Sequence, residues 1–178
     1  MAISLRPMTE DDLPRIATWL GLPHVARWWT PDTTAEAELA QYRLRIAPDG
    51  LKDTIMLTVL QDGLPIGWCQ WYRWADYPDE EEAMGARDGE AGMDYAIGDP
   101  AWIGIGTGTE LIAVLVREIR RQFPGAGMLV GPDATNTASR RVLEKNGFEL
   151  VEIRPVATEP SDAAIAIYRL PAVPASTG

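Results

Sequence analysis

Residues Gly92 to Glu110 read G-M-D-Y-A-I-G-D-P-A-W-I-G-I-G-T-G-T-E, and this stretch decides the fold. The apolar run Met93–Ile97 predicts a buried strand that carries a single carboxylate, Asp94. Asp99 precedes a proline, which disfavours helical geometry and predicts a turn at the end of the strand. A helix is predicted from Thr109 onward. The stretch therefore predicts an acidic strand that leads through a short loop into a helix.

The loop between strand and helix carries glycine at every second position, at Gly104, Gly106 and Gly108. Without Cβ atoms the backbone of such a loop can approach a ligand closely. The helix that follows adds unpaired N–H groups and a partial positive charge at its start, which favours binding of a phosphate or pyrophosphate. A turn or packing role for the glycines is an equally good interpretation. The spacing matches neither a P-loop nor a dinucleotide fingerprint.

The composition predicts one globular domain. The chain has 178 residues, of which 46% are hydrophobic and 24% are charged. We expect a single domain over residues 1–170 and a frayed tail over 171–178. Cys69 is the single cysteine, so an intramolecular disulfide is excluded and a reducing, cytoplasmic location is expected. The sequence shows neither a signal-peptide pattern nor an apolar run long enough for a membrane span.

The charge balance favours a cationic partner. The formal net charge is −10, from 26 acidic and 16 basic residues. This argues against nucleic acid and favours small cations through electrostatic steering, although an acidic surface can also serve solubility alone. With His24 and Cys69 as the only histidine and cysteine, no metal site is expected.

The remaining chain alternates strands and capped helices. We predict strands at Ile3–Arg6, Thr54–Leu60, Pro65–Trp74, Gly127–Gly131, Phe148–Ile153 and Ala163–Leu170. We predict helices from a Thr9/Asp12 capping box to Leu20, from a Thr33/Glu36 box to Ile46, over Glu110–Gln122, and from an Asn136 cap to Lys145. An acidic loop is predicted over Asp76–Glu90, either merely solvated or facing a cation.

This order of elements resembles the GNAT family of acyl-CoA N-acyltransferases. The resemblance is carried by Ile103-Gly-Ile-Gly-Thr-Gly108 at the start of a helix, and by Asn136 followed by Arg140-Arg141-Val-Leu-Glu-Lys-Asn-Gly147-Phe148. It implies an α/β (α+β) fold with a central mixed, mostly antiparallel sheet of six to seven strands flanked by about four helices. It also implies that acetyl-CoA binds in a splay between the two central strands.

Further motifs are similar to those of bacterial aminoglycoside 6′-N-acetyltransferases. They are His24-x-x-x-Trp28-Trp29, Gly67-x-x-Gln70-x-Tyr72, the acidic loop from Asp79, and Gly92-Met-Asp94. The resemblance implies acetyl-CoA as the donor and a cationic amino sugar as the acceptor. It implies Asp94 as the catalytic carboxylate. The substrate-binding residues expected are Trp28, Trp29, Tyr42, Asp76, Asp79 and Asp133. The coenzyme-binding residues expected are Tyr95, Ala96, Ile97, Ile103, Gly104, Ile105, Gly106, Thr107, Gly108, Thr109, Asn136, Ser139 and Arg140.

Three departures and two alternatives accompany this reading. Ile103 stands where relatives begin the glycine motif with Arg or Gln, and Leu143 stands where many carry a tyrosine thought to protonate the thiolate. Gly131 stands where the subfamily often has an aspartate, which weakens the assignment of Asp133. The alternative activities are siderophore-pathway acylation of a hydroxylysine and acetyl-CoA binding with weak or no catalysis. For Asp94 the structural alternative is a buried strand aspartate paired with an arginine or with backbone. A monomer or weak homodimer is expected.

Overall fold

A computed structural model describes residues 2–29, 33–51, 53–156 and 163–173. Its strands are β1 (Ile3–Pro7), β2 (Thr54–Gln61), β3 (Leu64–Arg73), β4 (Glu90–Ile97), β5 (Gly127–Val130), β6 (Glu149–Pro155) and β7 (Ala164–Leu170). Its α-helices are α1 (Leu13–Leu20), α2 (Pro23–Trp29), α3 (Ala35–Ile46), α4 (Pro78–Met84), α5 (Thr107–Gln122) and α6 (Thr137–Lys145). No helix within these ranges combines the length and apolarity that a membrane span needs.

The seven described strands form one sheet in the order β1-β2-β3-β4-β5-β7-β6. β4 runs parallel to β5, whereas β1 with β2, β5 with β7, and β6 with β7 are antiparallel. The mixed, mostly antiparallel sheet expected from the sequence is confirmed. The parallel pairing joins Glu90 to Gly127 and Ala91 to Met128, and β4 then continues to Ile97.

The number of helices was underestimated, because α2 and α4 were not predicted. α4 lies inside Asp76–Glu90, so the prediction of a loop there is wrong. Pro78 opens this helix, three acidic residues occupy its first turn, and Gly85 ends it with φ of +71°. These residues are favourable at helix ends, but Met84 is the only buried residue of α4, so no apolar periodicity reveals it.

Two of the helix starts illustrate how far the capping residues could be predicted. The Thr9/Asp12 capping box is confirmed, although it opens a short 3₁₀ turn (Glu10–Asp12) that precedes α1. The predicted Thr33/Glu36 box is wrong by one position. Thr34 is the N-cap of α3, and its hydroxyl accepts from the Ala37 N–H.

The chain divides into two compact units. The first unit comprises Met1–Gln70 and Asp94–Leu111. Its core is a cluster of buried side chains from α1, α2, α3 and the sheet: Met8, Leu13, Ile16, Trp19, Leu20, Val25, Leu39, Tyr42, Met56 and Trp68. Trp19 stacks on Trp68 with ring centroids 6.1 Å apart. Gly98 is required beside Trp19, because a Cβ there would lie 2.1 Å from the indole ring.

The second unit comprises Trp71–Met93 and Ile112–Gly178. Its core cluster contains Trp74, Met84, Leu129, Val156, Ile165 and Ile167. Trp68, Trp71 and Trp74 are all buried, since each is at most 5% exposed. The predicted tail lies outside the described residues from 174 onward.

Candidate active site

The centre of the candidate site is Asp94, a half-buried residue on β4. Its Oδ2 accepts a hydrogen bond of 2.8 Å from Nε2 of Gln70, on the adjacent strand β3. The Oε1 of Gln70 in turn accepts 3.0 Å from Nη1 of Arg45, on α3. All three residues belong to the first unit. The structural alternative of a direct pairing between Asp94 and an arginine is therefore not what is observed, because a neutral amide stands between the two charges.

This environment favours the protonated form of Asp94. Burial raises the pKa of the Asp94 carboxyl above its ordinary value, against the opposing effects of the Gln70 hydrogen bond and the Arg45 charge. An aspartate with an ordinary pKa near 4 is a poor match for an amine proton. A raised pKa brings the carboxylate closer to what a general base at neutral pH requires.

A second carboxylate, Glu38 of α3, belongs to the same electrostatic environment. Desolvation raises the pKa of Glu38, and the negative charge of Asp94 adds to that rise. Hydrogen bonds from Tyr42 and Trp29 and the charge of Arg45 oppose it. Sequence reasoning missed Glu38, Gln70 and Arg45 as part of an acid–base network. The available signal was the i, i+4, i+7 spacing of Glu38, Tyr42 and Arg45, which puts them on one face of α3.

The predicted aromatic residues of the substrate site belong to the first unit, and two of them, Tyr42 and Trp29, interact with Glu38. Tyr42 is 1% exposed and lies in the core cluster, where the Trp29 indole N–H donates to its hydroxyl. The half-buried Trp29 ring meets Trp68 edge-on at 4.9 Å between centroids. Trp28 carries the guanidinium of Arg27 over its ring, 4.3 Å from the centroid. A sugar-binding role for these rings stays a prediction.

The predicted coenzyme-binding segment Tyr95–Ile97 forms the last three residues of β4. Its backbone packs closely on β3, since a Cβ at Gly67 would lie 2.1 Å from the Ala96 carbonyl oxygen. His24 of α2 also contacts this segment, with its Nε2 3.2 Å from the Ile97 carbonyl oxygen. The strand end that follows Asp94 is thus held in place by two elements.

The glycine loop presents open backbone. Gly104 and Gly106 have φ of +78° and +96°, and no heavy atom lies within 4 Å of a Cβ built on either of them. The first backbone bonds of α5 are donated by Thr109 and Glu110 to the Gly106 carbonyl. Among the described residues, no group accepts from the N–H groups of residues 104 to 108. The loop also holds the exposed side chains of Ile103 and Ile105 and the buried Thr107.

The predicted acidic substrate-binding residues belong to the second unit. Asp76 ends a 3₁₀ turn (Trp74–Asp76), and Asp79 lies in the first turn of α4; both are exposed. Asp133 is engaged locally, because its Oδ1 accepts from the N–H and the hydroxyl of Thr135 at 2.7 and 2.6 Å. Their contribution to substrate binding stays a prediction.

The coenzyme-binding residues predicted on α6 also belong to the second unit. Asn136 is the N-cap of α6, and its Oδ1 accepts from the Ser139 N–H at 3.1 Å. Arg140 donates through Nε to the Tyr168 hydroxyl and through Nη1 to the Ala134 carbonyl, each at 3.0 Å. Arg140 therefore stabilises its own unit, whatever else it binds.

Residues 8–154 match the model of the acetyltransferase (GNAT) domain. The chain belongs to the GNAT acetyltransferase family. The family expected from the glycine loop and the α6 motif is thereby confirmed, and with it an acyl-transferring enzyme and the fold. Among the described residues, no group of three or more His, Cys, Asp or Glu is arranged to hold a metal ion.

Individual GNAT relatives carry aminoglycoside names. The chain is 29% identical over 154 residues to the aminoglycoside N(6′)-acetyltransferase type 1 of Klebsiella pneumoniae, covering 83% of this chain and 74% of that protein. The structure of the present chain is similar to AAC(6′)-Ib in complex with paromomycin and acetyl-CoA, with a TM-score of 0.75 and 25% identity. The match covers 96% of this chain and 94% of that one. It is also similar to AAC(6′)-Ib in complex with coenzyme A and kanamycin, with a TM-score of 0.72 and 26% identity. This match covers 96% of this chain and 95% of that one.

Proposed function

We propose that this protein is an aminoglycoside 6′-N-acetyltransferase that uses acetyl-CoA as its donor. The observation that carries the proposal is a half-buried aspartate, Asp94, whose hydrogen-bond donor is a neutral amide and whose pKa is raised by burial. It lies in the same unit as a loop of unpaired backbone N–H groups. The relatives with aminoglycoside names and the complexes with acetyl-CoA support the choice of both substrates.

The chemistry assigned to Asp94 begins with a protonated amine, which has no lone pair to attack a thioester. Ionised Asp94 binds the ammonium and accepts one of its protons, directly or through water. The freed nitrogen attacks the acetyl carbonyl, the C–N bond forms, and the C–S bond then breaks to release the coenzyme as a thiolate. The nitrogen becomes positively charged as it attacks, and it gives its second proton to solvent to leave the neutral amide. Backbone donors near Tyr95–Ile97 would stabilise the oxyanion of the intermediate. Leu143 is fully buried and has no proton to give, so the thiolate takes its proton from elsewhere.

The coenzyme half of the proposal rests on the glycine loop. Unpaired N–H groups at the start of a helix favour an anion, and glycine permits the left-handed backbone that Gly104 and Gly106 adopt there. The positions predicted to bind the diphosphate are the backbone atoms of residues 103 to 109. Asn136, Ser139 and Arg140 remain proposed contacts of the coenzyme.

Thiol release tests the activity directly. Acetyl-CoA is supplied with kanamycin, with N6-hydroxylysine, or with no acceptor, and free thiol is measured. We expect release that depends on kanamycin and yields acetylated product in equal amount. Release with hydroxylysine alone would overturn the acceptor class, and a burst of thiol without acceptor would overturn direct transfer. No release in any arm would overturn the enzymatic assignment.

A glycine substitution tests the coenzyme site. Alanine at Gly106 is strained by about 1–2 kcal/mol in left-handed geometry, so acetyl-CoA should bind roughly tenfold more weakly in calorimetry if the loop shifts to relieve it. Gly63→Ala is the matched control, because Gly63 has φ of +85° in the β2–β3 turn with equally open surroundings. Equal dissociation constants for both variants would exclude the loop from coenzyme binding.

A further inference from the structure

A chain of two hydrogen bonds connects α3 to the candidate base through a side chain of β3. Arg45 donates to Oε1 of Gln70, and Nε2 of Gln70 donates to Oδ2 of Asp94. The three residues come from α3, β3 and β4, and they lie 24 and 25 positions apart along the sequence. The Oδ1 of Asp94 accepts no hydrogen bond from any described residue.

The orientation of the Gln70 amide is determined by Arg45. A guanidinium has five N–H donors and no acceptor, so only the carbonyl oxygen of Gln70 can face it. The NH₂ group must then face Asp94, where it donates to the carboxylate. Without Arg45 the amide could turn over. Its oxygen would then face the carboxylate oxygen, and this contact is repulsive unless Asp94 is protonated.

The charges around Asp94 also limit what the site can bind. Arg45 and Glu38 face it from α3, and the uncharged Gln70 faces it from β3. When Asp94 and Glu38 are both ionised, their two negative charges and the positive charge of Arg45 add to a net charge of minus one. This cluster therefore balances one ammonium group, and a second cation of the acceptor must find its partner elsewhere.

We propose that Arg45 is a positioning residue for acetyl transfer, acting on Asp94 through Gln70. It keeps an N–H donor on Oδ2, so that Oδ1 is the oxygen left to bind the reacting ammonium. Its positive charge favours the ionised form of Asp94 and so opposes the effect of burial. The inference rests on the proposed function, since it assigns Asp94 the role of proton acceptor.

Substitution of Arg45 tests this role in the complete enzyme. Arg45→Met should lower kcat about ten- to hundredfold with little change in KM, as expected when a catalytic group is misplaced by a fraction of its hydrogen-bond length. The acidic limb of the kcat profile should move to higher pH, because loss of the positive charge makes Asp94 harder to ionise. Arg45→Lys restores a donor and a charge, so it should recover most of kcat and return the limb toward its original pH.

The same helix offers a matched control. Arg43 also lies in the last turn of α3 but is exposed, and its ion-pair partner Glu10 is 3.9 Å away. Arg43→Met loses the same favourable charge at the helix end and should leave kcat and the acidic limb unchanged. If Arg45→Met also leaves both unchanged, or if Arg43→Met reproduces its effects, the positioning role is refuted.

A readout without turnover separates this inference from the proposed function. The ¹³C signal of the Asp94 carboxyl is titrated by NMR in the wild type, Arg45→Met and Gln70→Leu. We expect the midpoint to move to higher pH in both variants, because each loses an interaction that favours the ionised form. An unmoved midpoint would overturn the relay even if acetyl transfer is observed. A moved midpoint in a protein that does not acetylate kanamycin would uphold the relay and refute the proposed function.

Discussion

Two carboxylates on the same strand have opposite surroundings. Glu90, at the start of β4, accepts 2.7 Å from Nε of Arg169 and 2.8 Å from the Arg87 N–H. The two side chains of that ion pair are only 16% and 8% exposed. Asp94, four residues later, has a neutral amide as its hydrogen-bond donor. Both carboxylate oxygens of Glu90 accept hydrogen bonds, so this side chain stabilises the fold. Asp94 has a hydrogen-bond donor on one oxygen, so its other oxygen is available to a ligand.

The largest effect is expected at the second of these carboxylates. Asp94→Asn should lower kcat about 10²- to 10⁴-fold, the range that general base catalysis contributes. It should not lower the free energy of unfolding at neutral pH. Because folding raises the pKa of Asp94, its stabilising contribution is present only below the unfolded pKa and is lost as pH rises through the folded value. If Asp94→Asn kept its kcat and lost stability, Asp94 would stabilise the fold as Glu90 does, and the contrast between the two carboxylates would be wrong.

At Glu90 the opposite pattern is expected. Arg169→Met leaves Glu90 buried without its cation and should lower the free energy of unfolding by about 3 kcal/mol, measured by urea titration. The turnover of the folded fraction should be unchanged. The double variant Arg169→Met with Glu90→Gln should recover part of the loss, because the uncompensated charge is gone. If Arg169→Met and Asp94→Asn lowered the free energy of unfolding equally, the proposed difference between Glu90 and Asp94 would be wrong.

A third carboxylate, Asp12, sharpens the comparison through pH. Its desolvation is outweighed by hydrogen bonds from Arg6, Thr9 and Thr58, so that the pKa of Asp12 is lowered to about 2. The stabilisation is therefore complete above the unfolded pKa and is lost as pH falls through the folded value. Asp12→Asn should cost about 2 kcal/mol near pH 7 and much less near pH 2. A cost independent of pH in urea titrations would contradict this account.

Most of the sheet and the long helices could be predicted from the sequence. Strands β2, β5 and β7 are rich in apolar residues, and Asp62 and Gly63 between β2 and β3 both have positive φ, as is typical of an Asp-Gly hairpin turn. The predicted Asn136 cap is confirmed by the hydrogen bond that its Oδ1 accepts from the Ser139 N–H. α2 could not be predicted because only Val25 of its seven residues is buried. The acidic run of α4 likewise has the composition of a solvated loop.

The candidate site was predictable only in part. Asp94 stands out because a lone carboxylate inside an apolar strand is rare. The Arg45–Gln70–Asp94 relay was not predictable, because its members are joined only by the pairing of β3 with β4 and the packing of α3. The helical spacing of Glu38 and Arg45 indicates that they share a face of α3, but it does not indicate which strand residues that face contacts. The near-complete burial of Tyr42 likewise follows from the packing of α3, which the sequence does not specify.

The pH dependence of single-turnover acetyl transfer tests the central claim most directly. Acetyl-CoA and kanamycin are mixed with excess enzyme, and product formation is followed for the wild type and for Asp94→Asn across the range from mildly acidic to alkaline pH. The account predicts a wild-type rate that falls at acidic pH as Asp94 takes up a proton, and a low rate without that acidic limb in the variant. A variant that keeps the wild-type rate and its acidic limb would show that another group accepts the proton.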